Sequence, residues 1–199
     1  MVKKIKITGM LTFLVIFINS CSSYYGKRDT SGRLRVKEKH WTLKNIPNKG
    51  VKKVLDTRVW YRSQYYFRNN DFSFRIQKKN RQVNNDMILW FFDSGHALRF
   101  VSYVLNEEKI KGIVNGKDNL NFGSKGFYTV GSNEFEVEFF QEQNVSLFGS
   151  MDRYYSHTLI KGDTLHLVRE DHYKKGVYIH YIYIKVEMPE ALKNIKAKW

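Results

Sequence analysis

Four of the six histidines, His157, His166, His172 and His180, crowd into the last quarter of the chain. They fall on neighbouring strands or the loop between them, so two can meet across a sheet. The usual ligand spacings, His-x-His and His-Glu-x-x-His, do not occur, and no metal site is expected. Asp93-Ser94-Gly95-His96 brings three residue types of a hydrolytic triad into four positions. A tight turn does not deliver triad geometry, and no Gly-x-Ser-x-Gly elbow accompanies it. Glu134, Glu136 and Glu138 share one strand face and offer a carboxylate pair for glycoside hydrolysis. Three like charges at a spacing of two read more simply as a solvated face. Gly123-Ser124-Lys125-Gly126 lacks the form of a phosphate loop. Trp60, Tyr61, Arg62, Tyr65, Tyr66, Phe67 and Arg68 interleave rings and cations as single-strand nucleic-acid platforms do. A core strand with a basic outer face is the better account of them. No catalytic residue and no cofactor is expected.

The single cysteine excludes an intramolecular disulfide framework and points instead to its own position, Cys21. Lys3, Lys4 and Lys6 precede an apolar run from Met10 to Ile18 that only Thr12 interrupts. That run is shorter than the roughly 20 apolar residues a membrane span needs, and it suits an export signal. Ile18-Asn19-Ser20-Cys21 follows directly and resembles the lipobox of bacterial lipoproteins. The resemblance implies cleavage before Cys21 and a diacylglyceryl group on its thiol. At about 0.8 kcal/mol for each buried methylene, two or three acyl chains hold a protein on a bilayer almost permanently. The expected organisation is a signal peptide over 1–20, a flexible tether over 21–40 and one domain over 41–199. The acidic stretch that follows the cysteine in surface-exported lipoproteins of the Bacteroidota is missing, which favours the periplasmic face of the outer membrane.

The chain of 199 residues carries 34 basic and 19 acidic side chains, a formal charge of +15. The basic excess lies in the half nearer Cys21, where it can meet anionic headgroups or another anionic envelope component. Export makes nucleic acid an unexpected partner. Hydrophobic residues at 42% and aromatics at 16% are enough for a packed core and exclude a wholly disordered chain.

From Trp41 onward, short β-branched and aromatic runs alternate with turn residues. The pattern predicts strands at Asp56–Phe67, Phe72–Lys78, Asp86–Phe92, Ala97–Leu105, Gly126–Val130, Glu134–Gln141, Tyr155–Ile160, Thr164–Arg169 and Val177–Glu187. The clearest hairpin joins Phe127–Val130 to Glu134–Phe139, whose alternation puts Phe135, Val137 and Phe139 on one face. Met87 to Phe92 is apolar on both faces, so its second face needs a helix, a loop or a ligand as cover. Pro189 suits the first turn of a helix over Met188–Ala197. Short connections favour an antiparallel meander, and closure into a barrel would remove its edges.

Trp90-Phe91-Phe92-Asp93-Ser94-Gly95-His96-Ala97-Leu98, the hairpin at Gly126–Phe140 and the turn Ile160-Lys161-Gly162-Asp163-Thr164-Leu165 together resemble lipocalin-like lipoproteins of the Bacteroidota. The resemblance spans about residues 86–187 and implies fold more than activity. The expected fold is all-β: an antiparallel up-and-down barrel or strongly curved meander with a short C-terminal helix. The expected function is non-enzymatic. A lipid-anchored domain would bind a small apolar or amphipathic ligand, or an envelope partner, with Trp90, Phe92, Phe100 and Phe135 as candidate pocket residues. The alternative is an envelope enzyme or inhibitor acting on glycans or lipids.

Overall fold

A computed structural model of the chain describes residues 24–28, 32–46, 48, 54–76, 82–83, 86–118, 120–131, 134–142, 150–197 and 199. Cys21 and the segment expected to be a signal peptide lie outside the described residues. The strands are β1 (Tyr24–Arg28), β2 (Leu34–Val36), β3 (Val59–Asn69), β4 (Gln82–Val83), β5 (Met87–Phe91), β6 (His96–Val101), β7 (Ser124–Val130), β8 (Glu134–Glu142), β9 (Ser150–Lys161), β10 (Thr164–Asp171) and β11 (Lys174–Glu187). An α-helix, α1, spans Glu107–Val114.

Sequential antiparallel pairing runs β5-β6-β7-β8-β9-β10-β11, and β11 pairs back onto β3, which in turn pairs with β5. Eight strands thus close into an up-and-down barrel. Local chemistry fixes its register. The hairpin of β9 and β10 pairs Lys161 with Thr164 across a two-residue loop, and Gly162 sits there at φ +61°, which a side chain would resist. An eight-stranded barrel is just wide enough for side chains to fill or for one small ligand to enter.

Alternation along the strands sorts the side chains. Phe135, Val137 and Phe139 point inward as their spacing demands, and meet Leu89, Phe91, Ala97, Tyr128, Leu165, Leu167 and Tyr183 in the interior cluster. The residues one step out of phase form a second cluster outside the wall: Ile88, Trp90, Leu98 and Phe100, joined by Phe92 and Phe122. Its cover is protein. Helix α1 contributes Ile113, and the C-terminal segment contributes Met188 and Leu192. The helix begins where the Asn106 side chain accepts from the Lys109 N–H at 2.9 Å, with Glu107 and Glu108 complementing its dipole.

Three expectations change at this level. The C-terminal helix is a single 3-10 turn, Glu190–Leu192, and an α-helix forms at Glu107–Val114, where none was expected. Phe72 to Ile76, the described part of the strand expected at Phe72–Lys78, is not strand. Asp71 turns the chain there by accepting from the Ser73 N–H at 3.0 Å, and Phe72 and Phe74 lie across His157 and His166 on the outer wall. The stretch expected to be a tether contains β1 and β2. Leu34 and Val36, spaced by two, are buried against Phe140 and Met151, and β1 pairs with the start of β9. Among the described residues, no helix is long and apolar enough to cross a membrane.

Candidate functional site

The barrel interior has two unlike ends. At one, Tyr61, Phe91, Tyr128 and Phe135 are fully buried and pack edge to face, with ring centroids 5.2–6.1 Å apart. Leu55 belongs to the same cluster. The Tyr128 hydroxyl donates to the Phe92 carbonyl at 2.7 Å, and burial raises its pKa. Asn48 fixes the neighbouring strand end, donating to the Tyr128 carbonyl at 2.7 Å and accepting from the Val130 N–H at 2.9 Å. This end is solid.

The other end carries polar and charged residues on the same inward phase. Arg99 stands two positions after the interior Ala97 on β6, and Arg169 two after the interior Leu167 on β10. The Arg99 guanidinium lies 5.1 Å from the centre of the Phe139 ring and 5.4 Å from that of Tyr154. That of Arg169 lies 4.6 Å from Tyr154 and 5.6 Å from Tyr181. The two cations therefore share one tyrosine ring. Arg99 Nη2 donates to Gln141 Oε1 at 2.9 Å, and Arg169 Nη2 donates to the Tyr181 hydroxyl at 3.1 Å. The Nε atoms of both are cut off from solvent without a partner. Gly126 makes room for this arrangement: a Cβ there would come within 2.5 Å of the Phe139 ring on which Arg99 rests.

Carboxylates stand at the rim and have other partners. Asp171 accepts from Arg68 Nε at 2.9 Å and from the Tyr173 N–H at 2.9 Å. Asp152 is 3.4 Å from His172, and Glu170 accepts from the Gly176 N–H at 3.0 Å. Among the described residues, neither Arg99 nor Arg169 has a carboxylate within ion-pair distance. Burial depresses the Arg99 pKa below its ordinary value, and the charge of Arg169 acts in the same direction, while Tyr183 and Tyr181 oppose it. Burial raises the hydroxyl pKa values of Tyr183 and Tyr154.

The wall also opens here. The ladder between β9 and β10 runs from Lys161–Thr164 to His157–Val168 and stops, while β9 stays paired with β8 down to Met151. A cleft of about 600 Å³ occupies the split, lined by Tyr154, Tyr155, His157, Arg169, His172 and Tyr178 among others. A second space of about 410 Å³ lies against Met87, Arg99, Phe100, Val104, Tyr181 and Tyr183, with Arg33 also in its lining. Both are in the size range of small-ligand sites.

The four candidate pocket residues are not brought together. Trp90, Phe92 and Phe100 belong to the outer cluster, where Trp90 and Phe92 stack at 4.6 Å, and Phe135 lies in the solid end of the interior. Only Phe100 reaches a cavity of the open end, at its edge. Arg99 and Arg169 were legible as pocket residues only through their phase with Ala97 and Leu167.

The other chemistry-bearing residues have structural partners. His166 and His180 do meet across β10 and β11, Nε2 to Nδ1 at 3.1 Å. His180 Nε2 must donate to the Asp71 carbonyl, 3.0 Å away, so His180 Nδ1 accepts the proton of His166. Burial pushes the His166 pKa down to about 4, and His180 is lowered for the same reason. Among the described residues, no three possible ligands gather around a common point. Glu138 departs from the solvated face expected of it. It is fully buried and accepts from the Thr42 N–H at 2.9 Å, the Leu43 N–H at 3.2 Å and Arg153 Nε at 2.5 Å. It thereby clamps residues 42–43 to the outer wall. Glu136 lies 3.5 Å from His157. In the Asp93–His96 turn, Ser94 Oγ is 2.8 Å from His96 Nδ1, but His96 Nε2 donates to the Trp199 carbonyl at 3.0 Å and Asp93 accepts from Thr57. The acid of the would-be triad is not on the histidine, and the turn serves to fasten the C-terminal segment. Comparison with known proteins finds no family model, no curated protein and no solved structure that matches this chain.

Proposed function

We propose that this protein is a lipid-anchored binding barrel, which takes a small amphipathic ligand into the open end of its interior. One observation carries the reading: the same barrel is packed solid with rings at one end and holds cavities lined by tyrosines and arginines at the other. A wholly structural barrel has no use for that asymmetry, because packing its whole length with apolar groups would be more stable. Small-ligand sites combine an apolar wall with a few placed polar groups, and Met87, Phe100 and Val104 beside Arg99 and Tyr181 make such a set.

The anchor is read from Ile18-Asn19-Ser20-Cys21 and the export signal before it. Only Ser22 and Ser23 separate Cys21 from β1, which is itself paired to the barrel. An acylated Cys21 would therefore hold the domain close to the bilayer, favouring ligands drawn from the envelope. Native mass spectrometry of the mature protein, purified from its own envelope, tests both parts. The expected result is acyl mass on Cys21 and a small molecule retained in the folded state and released on unfolding. An unmodified Cys21 thiol would refute the anchor, and a folded protein that never carries or takes up an amphiphile would refute the binding role.

A further inference from the structure

Arg99 and Arg169 offer more hydrogen-bonding capacity than the chain uses. Each guanidinium has five N–H groups in a planar fork. Arg99 places one on Gln141, and Arg169 uses its two terminal nitrogens for the Tyr181 hydroxyl and, at 3.3 Å, the Glu170 carbonyl. All these acceptors are neutral. The faces of both cations rest on aromatic rings, which leaves the edges of the forks as the route to a charged partner. Two like charges held around one tyrosine ring repel each other, and half-burial with both Nε atoms sealed from solvent adds to the cost of keeping them there without a counter-charge. Elsewhere this chain neutralises its buried charges: Glu138 has Arg153, and Asp171 has Arg68. At the open end Asp171 acts on Arg169 only through space while hydrogen-bonded to Arg68, and among the described residues no carboxylate lies within ion-pair distance of either arginine.

We infer that the open end binds an anionic head group, a carboxylate or a phosphate monoester, carried on an apolar tail, with Arg99 meeting the charge at its cavity and Arg169, on the same Tyr154 ring, adding positive potential. The inference rests on the reading of the open end as a ligand site and names the chemical class that site takes. The forks match both head groups, since each presents paired oxygens to a guanidinium edge. The tail lies along Met87, Phe100, Val101 and Val104, which line the cavity that Arg99 shares. It does not run deeper, because Phe91, Tyr128 and Phe135 fill the interior beyond.

The test uses the mature chain from residue 21 with Cys21→Ser, which keeps every described element and removes the acylation site. Dansyl-labelled undecanoic acid serves as the fluorescent probe, and dodecanoate, dodecyl phosphate, dodecanol and inorganic phosphate serve as competitors. Dodecanoate or dodecyl phosphate should displace the probe at concentrations at least about tenfold below those needed for dodecanol, and the order of the two identifies the preferred head. Losing one charged hydrogen-bond partner corresponds to about ten- to hundredfold in affinity. Arg99→Met should show that loss for the anions and Arg169→Met a smaller one, both leaving dodecanol unchanged, and Arg99→Lys should fall between Arg99→Met and wild type. Near-ultraviolet circular dichroism identifies folded variants, and Arg169→Met decides the matter should Arg99→Met misfold. Equal displacement by dodecanol and dodecanoate, with both methionine variants binding as wild type, would overturn the anionic assignment while leaving the ligand site in place. Displacement by inorganic phosphate as effective as by dodecyl phosphate would overturn the tail. Failure of the folded protein to bind the probe or any competitor would remove the ligand site itself and the inference with it.

Discussion

The two ends of the barrel interior are built from the same strands and teach opposite lessons about burial. At the solid end, buried Tyr61 and Tyr128 bring one hydroxyl each, and the Tyr128 hydroxyl has the Phe92 carbonyl for a partner. The Tyr61 hydroxyl and the Thr158 hydroxyl opposite Phe135 are buried without a hydrogen-bond partner but carry no charge, and hydrocarbon and rings fill the space around them. At the open end the same inward phase carries Arg99 and Arg169, whose hydrogen-bond and ring partners among the described residues are neutral. The first arrangement is what stability selects. The second costs stability, and the proposed ligand role is what would offset that cost.

The largest expected effect comes from the solid end. Phe135→Ala removes a ring that touches Phe91 and Tyr128, and it should lower unfolding free energy by about 3–5 kcal/mol in urea melts. A loss under about 1 kcal/mol would mean that this end is not packed as described.

Outside the wall, the His166–His180 pair shows what a satisfied buried polar group looks like, and it gives a dependence on pH. His166 has a folded pKa of about 4 against an ordinary 6.5, so the unfolded chain binds more protons between those values. Stability contributed by the neutral pair is complete above about pH 6.5 and is lost as pH falls toward 4. The full span corresponds to about 3 kcal/mol. Carboxylates also titrate in the lower part of this window, so the measurement is the difference between wild type and His166→Phe at pH 7 and pH 4.5. The wild type should lose more over that interval, and equal losses would show that the pair does not stay neutral in the fold.

Glu138→Gln removes a buried charge that Arg153 compensates and should destabilise the protein by about 2 kcal/mol. Arg99→Met removes a charge with no such partner and should raise unfolding free energy by about 1 kcal/mol. The opposite signs are the sharpest statement of the comparison. Should Arg99→Met destabilise as Glu138→Gln does, Arg99 belongs to the scaffold.

Most of the barrel was legible in the sequence because one physical cause, alternation of inward and outward residues between short turns, sets both pattern and fold. The β8 strand reads directly from Phe135, Val137 and Phe139. The pocket was not legible in the same way. Where a strand is apolar on both faces, as from Met87 to Phe92, alternation separates two faces without saying which is inside. Trp90, Phe92 and Phe100 fall on the outer phase and are covered by α1 and the C-terminal segment, and the inward phase belongs to Ala97 and Arg99. A charged side chain suggests solvent by composition, and only the spacing of Arg99 from Ala97 places it within. The strands β1 and β2 and helix α1 were missed because each carries few apolar residues. The Asn106 cap with Glu107 and Glu108 behind it was the available signal for the helix. Glu138 was missed because its burial depends on Thr42, Leu43 and Arg153, all distant in sequence except the last.

The most direct measurement follows the arginine side-chain N–H signals by NMR while dodecanoate is added to the chain from residue 21 carrying Cys21→Ser. Nε of Arg99 and of Arg169 are sealed from solvent, so both should give slowly exchanging signals in the free protein. Addition of dodecanoate should shift these two signals and the amides around Tyr154 and Tyr181, while the amides of Phe91, Tyr128 and Phe135 at the solid end stay in place. Shifts confined to the solid end or to the outer wall, or arginine signals indifferent to saturating dodecanoate, would contradict the account.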